Sequence, residues 1–209
     1  MTLLRDRPAE MGAHVSPGFH AVSPRLTARI AGGFYLLCSL SSVVEVSRLG
    51  GPRVTLTAGL ASTVAYVGVT IFFYQLFKAV SGRLSSVALI VGLTGCLFRF
   101  AHSLHWQFFQ FPSWPILGVY LILIGILILR SRFLPRLLGV LMAIAGLGAL
   151  TSVSPQVFGL FFPANYIAAA IGEGALTVWL LTFGVNAPKW NEQIAEQGGA
   201  RAHTVAADA

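Results

Sequence analysis

Charge is what this sequence has least of. Asp, Glu, Lys and Arg make up 10% of its 209 residues, against about 25% in a soluble domain that must coat its core. Acidic residues are rarer than basic ones, seven against fourteen, and no Asp falls within an apolar stretch. A Ser-His-Asp hydrolase built inside those stretches is therefore excluded, and no glycine-flanked serine elbow is present to hold its nucleophile. Cysteine is limited to Cys38 and Cys96, each inside an apolar run. That excludes a disulfide framework, and both thiols read as small buried hydrophobes. Walker and dinucleotide glycine patterns are missing. So is the period-two alternation of apolar and polar residues that a membrane β-barrel needs.

What is present is apolar length. The chain is 56% hydrophobic, with a mean hydropathy of +0.76. A hydrocarbon core of about 30 Å takes about 20 helical residues to cross. Six segments meet or approach that, at about 24–46, 54–80, 84–105, 115–131, 135–152 and 164–185. The expected fold is all-α, a polytopic transmembrane helical bundle spanning 24–188. Ser23 before Pro24 is a helix-start signal, and Gly50-Gly51-Pro52 and Ser81-Gly82 break the chain between spans. The fourth span is the shortest and relies on Arg130 snorkelling to its interface. Pro155 to Phe162 is too short to cross and is expected as a brief interfacial helix or loop. The polar stretches 1–23 and 189–209 read as disordered tails. Residues 1–27 contain no apolar h-region, so a cleavable signal peptide is not expected.

Basic residues set the expected orientation. With the N-terminus inside, the inner segments carry Arg5, Arg7, Arg25, Arg29, Lys78, Arg83, Arg130, Arg132, Arg136, Lys189 and Arg201. The outer loops carry Arg48 and Arg53. Eleven against two predicts N-in/C-in topology. Outer segments near 107–114 and 154–163 hold Phe108, Phe109, Trp114, Phe161 and Phe162 without Lys or Arg, as an interfacial aromatic belt does. Basic residues do not interleave with exposed aromatics, so nucleic acid is not an expected partner. The expected partners are the lipid bilayer and other membrane proteins or further copies of this chain.

Ionisable groups inside spans are the functional candidates, because each is costly in hydrocarbon unless paired or hydrated. They are Glu173 near the middle of the sixth span, Arg99 in the third, Glu45 near the outer end of the first, and His102 near the outer end of the third. Arg99, His102 and Trp106 are spaced i, i+3, i+7 and share a helical face. An Arg99–Glu173 ion pair beside a cavity open to the outside is the sharpest expectation. Two readings of it stand: a pair that fixes helix register, and a centre that binds a ligand or moves a proton. His102 and His105 have a metal-like spacing, but two ligands do not make a site and only Glu45 could join them. Facing haem histidines are ruled out, since both lie on one helix. No cofactor or metal is expected, and no residue is assigned a catalytic role.

Small residues mark close packing. They recur at Gly59/Thr63 and Ala61/Ala65 in the second span, Gly139/Ala143 in the fifth and Ala168/Gly172 in the sixth. Packing within the chain and packing between copies are both open. No internal repeat supports an inverted-repeat transporter.

Four stretches carry a family resemblance: Ala28-Arg-Ile-Ala-Gly-Gly-Phe-Tyr-Leu-Leu37, Phe98-Arg99, Arg130-Ser-Arg-Phe-Leu-Pro-Arg-Leu-Leu-Gly-Val-Leu141 with Ala145-Gly-Leu-Gly148, and Ile171-Gly-Glu-Gly-Ala-Leu-Thr-Val-Trp-Leu-Leu181. Together, over about Ala28 to Pro188, they resemble a bacterial family of six-helix integral membrane proteins described as domain of unknown function 4386. The resemblance implies a bacterial cytoplasmic membrane location and supplies no activity. The outer connection at Ser47 to Arg53 is shorter than the family's usual one. Three function classes follow: a non-enzymatic membrane component, which is preferred; a small-molecule or ion carrier with an outward pocket at Arg99 and Glu173; and a membrane enzyme acting on lipid or quinone.

Overall fold

A computed structural model describes residues 23–47, 51–104 and 113–207. The described residues form eight α-helices and no strand: α1 Pro24–Ser47, α2 Gly51–Phe77, α3 Gly82–Ser103, α4 Trp114–Arg130, α5 Arg136–Leu150, α6 Pro155–Leu160, α7 Ala164–Thr182 and α8 Ala187–Ala207. Five helices are long and apolar enough to cross a membrane: α1, α2, α3, α7, and α5 with its 3-10 extension to Val153. α4 is apolar and 17 residues long, or about 25 Å at 1.5 Å per residue. In lipid every backbone polar group must be satisfied internally, which helices of this kind do. The brief interfacial helix or loop expected at 155–162 is the short α6 and the turn after it.

Local signals start these helices as their residues require. The Leu26 amide donates to Ser23 Oγ at 3.2 Å, capping α1. Ser81, extended at φ −159°, accepts from the Leu84 amide at the start of α3. α2 begins three residues earlier than expected, at Gly51. That glycine has φ +82°, and Pro52 falls in the first turn, where its missing N–H is not needed.

Neighbour packing runs α1–α2–α3–α4–α5–α7 and returns to α1, so six helices close a ring. The ring's outer surface is apolar: Leu40, Val43, Ile90, Leu137, Leu147 and Val178 are each more than half exposed. A soluble protein rarely shows such a surface, and a bilayer-facing one must. The molecule is a membrane-embedded helical bundle.

The glycines sit inside this ring. Gly118 and Gly125 of α4 meet Gly146 and Gly139 of α5 so closely that a Cβ on any of the four would lie 2.6–2.8 Å from a facing backbone oxygen. Gly172 stands the same way against Leu141 of α5, at 2.7 Å. The small-residue spacings at 139/143 and at 172 therefore serve seams within the chain.

Residues 189–209, expected to be disordered, are helical through Ala207. The helix is fastened rather than free. Asn186 Oδ1 caps it by accepting from the Lys189 amide at 3.3 Å. The Trp190 indole donates to Leu76 O at 3.0 Å, and Gln197 donates to Val80 O at 2.6 Å. Arg132 pairs with Glu196 at 2.9 Å. α8 thus lies across the α2–α3 and α4–α5 turns, gathering the basic ends of the bundle on one side. The 1–22 part of the N-terminal tail, Arg48 and His105 lie outside the described residues.

Candidate functional site

Arg99 turns into the bundle, and its Nη2 donates to Glu45 Oε2 at 2.5 Å, to Ser62 Oγ at 2.9 Å and to Ser42 Oγ at 3.3 Å. Ser42 and Ser62 bond each other at 2.8 Å, and Cys38 Sγ reaches Ser62 Oγ at 3.4 Å. One guanidinium thus ties α3 to both α1 and α2. The side chains of Arg99 and Glu45 are 12% and 28% exposed, which places the pair inside the bundle near its edge. Elsewhere in the spans, Ser39, Thr63, Thr70, Ser103 and Thr177 donate back along their own helices to carbonyls four residues earlier. Ser42 and Ser62 instead spend their hydroxyls across the helix seam. Gly59 has a second role here: a Cβ on it would sit 3.0 Å from Glu45 Oε1, so glycine leaves the space that the carboxylate fills.

The expected Arg99–Glu173 ion pair does not form. Depth explains why. Glu45 and Arg99 lie two and four residues short of their helix ends at Ser47 and Ser103, whereas Glu173 lies nine residues into α7 from Ala164. At 1.5 Å per residue, Arg99 is about 3 Å from the level of Glu45 and about 7.5 Å from that of Glu173. Moreover, α3 packs on α2 and α4, and α7 on α1 and α5.

His102, expected near the outer end of the third span, lies one residue before the end of α3 and does not join the Arg99 cluster. Three residues on from Arg99, it is turned by about 60° around the helix, enough at the bundle's edge to leave it exposed while Arg99 is drawn in.

Glu173 instead adjoins three tyrosines that the sequence alone did not single out. Tyr35, Tyr66 and Tyr120 lie near the midpoints of α1, α2 and α4, and Glu173 at the midpoint of α7. Their rings are in contact, with centroids 6.0 Å apart for Tyr35–Tyr66 and 5.7 Å for Tyr66–Tyr120. The hydroxyls of Tyr35 and Tyr120 are buried, each residue being 1% exposed, and neither closes a hydrogen bond, although Tyr35 borders the Glu173 carboxyl. Gly92 makes room for this layer: a Cβ on it would lie 2.9 Å from the Tyr120 ring. A signal did exist, since membrane tyrosines favour the interfaces and these three stand at mid-span. Arg99 Nε is likewise buried without a partner.

Chemically, the two polar groups differ. Around Arg99, a cation meets an anion and two hydroxyls of the same chain. Around Glu173, a half-buried carboxyl faces phenol rings and no cation lies within ion-pair distance among the described residues. Within the described residues, no three His, Cys, Asp or Glu side chains gather in a way that could hold a metal ion.

These features define a polytopic helical membrane protein with a polar centre enclosed by a ring of helices. Residues 102–184 match the family described as Domain of unknown function (DUF4386), the family that the sequence resembles. The match takes in α4 to α7 with Glu173, and the resembling stretches 130–148 and 171–181. Ala28 to Leu37 and Phe98-Arg99 lie before it, as do Glu45, Ser42 and Ser62. No curated protein and no solved structure matches the chain.

Proposed function

We propose that this chain is a non-enzymatic component of the bacterial cytoplasmic membrane, with both ends of the bundle's chain inside. In this reading Arg99 and Glu45 lock three helices together, and the apolar outer faces associate with lipid and other membrane subunits. One observation carries it: Nη2 of the Arg99 guanidinium bonds Glu45, Ser42 and Ser62 of the same chain, so the charge has its counter-ion within the bundle. A centre whose charge is already answered is suited to holding helices, because a buried cation left unpaired is strongly destabilising. The basic end supports the orientation, since Arg25, Arg29, Lys78, Arg83, Arg130, Arg132, Arg136 and Lys189 all fall at the end that α8 crosses.

Thermal unfolding in detergent tests the lock. Arg99→Leu and Glu45→Leu are each expected to lose about 3 kcal/mol, through the uncompensated charge left behind. The double variant should recover most of that loss, whereas Arg99→Leu with Glu173→Leu should not. A double variant as stable as the wild type that sheds a molecule copurifying with the wild type would make the centre a binding site and overturn the lock.

A second reading rests on Glu173. A mid-span carboxyl beside two unpartnered phenol hydroxyls suits a small polar or cationic ligand, or a proton, admitted from the end opposite the basic face. Native mass spectrometry of the wild type and Glu173→Gln decides it. A bound mass present in the wild type and lost from a folded Glu173→Gln variant supports this reading; identical spectra end it.

A further inference from the structure

At the basic end, the α4–α5 turn and the α7–α8 junction enclose a concave site of about 450 Å³. Its walls bring together Arg25 at the start of α1, Arg132 in the α4–α5 turn and Lys189 in α8, with Trp179 and Phe183 of α7. The backbone builds it deliberately. Gly184, at φ +65°, ends α7 in the left-handed conformation that glycine tolerates, with the amides of Phe183 and Gly184 both donating to Trp179 O at 2.9 and 3.0 Å. The next turn is pinned when the Asn186 amide donates to Phe133 O at 3.3 Å. The Asn186 side chain then caps α8 and directs Lys189 back toward Arg25 and Arg132. A second hollow of about 320 Å³ shares Arg132 and Lys189 and adds Arg136.

Cations dominate this corner. Glu192 lines the second hollow, and Glu196 pairs with Arg132, both of those side chains being more than half exposed. Such a pair is weak and exchangeable. Arg25, Arg136 and Lys189 form no ion pair among the described residues. On the membrane side, Phe183 is 66% exposed and packs at a tilt against Trp179 with centroids 4.5 Å apart. The corner therefore offers two kinds of recognition at once: a cationic hollow and, next to it, an aromatic wall where the spans end.

We infer that this hollow binds the phosphate of an anionic phospholipid headgroup. Arg25, Arg132 and Lys189 surround the phosphate, and the acyl chains run along Trp179 and Phe183 into the bilayer. Basic hollows between helices at a cytoplasmic interface recognise anionic headgroups through charge and charge-assisted hydrogen bonds. The aromatic wall selects a lipid over free phosphate, which has no use for it. The inference is independent of the Arg99 lock and of Glu173, which lie away from this end.

The test uses the full chain in detergent, titrated with phosphatidylglycerol or phosphatidylcholine and read by native mass spectrometry and by thermal unfolding. Phosphatidylglycerol should be retained preferentially and should raise the unfolding temperature. Arg25→Gln with Lys189→Gln should cut its affinity roughly 25-fold, at about fivefold per cation. Lys78→Gln with Arg83→Gln, exposed cations at the same end but outside the hollow, should leave it nearly unchanged. Should the first pair fail to fold, Arg25→Gln alone carries the test, with a loss of about fivefold. Equal losses for both pairs would reduce the effect to general surface charge and overturn the site. So would equal retention of the two lipids, or binding of inorganic phosphate without retention of phosphatidylglycerol.

Discussion

The interior of the bundle is divided, and its two halves are held by different physics. From the basic end to mid-span, six rings follow one another in contact: Phe133–Phe77, Phe77–Phe73, Phe73–Tyr35, Tyr35–Tyr66 and Tyr66–Tyr120, with centroids 5.7–6.0 Å apart. From mid-span to the other end, buried apolar residues such as Cys96 and Leu117 share the interior with Cys38, Ser62, Ser42, Arg99 and Glu45, which are joined by hydrogen bonds. The first half depends on shape, because lipid is as apolar as a phenylalanine and helix association in it rests on close packing. The second depends on satisfying charge, because an unpaired guanidinium in a dry interior is costly. The tyrosines stand at the boundary, near the middle of their helices.

That division can be broken from either side. The largest effect is expected from Phe73→Ala, which removes a fully buried ring from the middle of the series and should cost about 4 kcal/mol through the cavity it leaves. A loss under about 1 kcal/mol would show that the aromatic half repacks and is not held by shape. Gly146→Val should come next, at about 2 kcal/mol, because its side chain would collide with Gly118 O on the facing helix. Normal unfolding of that variant would mean the α4–α5 seam can open. Ser62→Ala is expected to cost about 1 kcal/mol, since it strips one acceptor from Arg99 and a partner from Ser42 while leaving Glu45 in place. The smallest change is Tyr35→Phe, expected within about 0.5 kcal/mol of the wild type, because the hydroxyl it removes closes no hydrogen bond. A loss above about 1 kcal/mol there would extend the polar half down to Glu173. All four are read by chemical or thermal unfolding in one detergent.

The architecture was legible in the sequence, and the partner choice was not. Run length and missing charge were enough for the helices, because only a helix satisfies its own backbone in lipid. The difficulty with Arg99 was one of register. Its true depth depends on where α3 ends, and a helix end misplaced by two residues moves a side chain by about 3 Å. That is enough to exchange Glu45 for Glu173. Ring order mattered too, because nothing in a single chain says that α3 and α7 sit apart. Tyr35, Tyr66 and Tyr120 were counted with the apolar residues, and their shared level emerges only when the spans are aligned. α8 escaped because its fastening groups, Trp190 and Gln197, act on carbonyls more than a hundred residues earlier, and carbonyls carry no sequence signature. The basic residues were legible as a topological signal, while the hollow that some of them line depends on the turn at Gly184.

The contact between α1 and α7 has a consequence for how the molecule is made. A ring in which the first span touches the sixth cannot close while the chain is being inserted in order. Closure needs α7, which packs between α5 and α1. Glu173 lies on that closing helix, and α8 follows it in the chain, fastened where Trp190 donates to Leu76 O. The mid-span carboxyl is thus carried by the last helix that the ring requires.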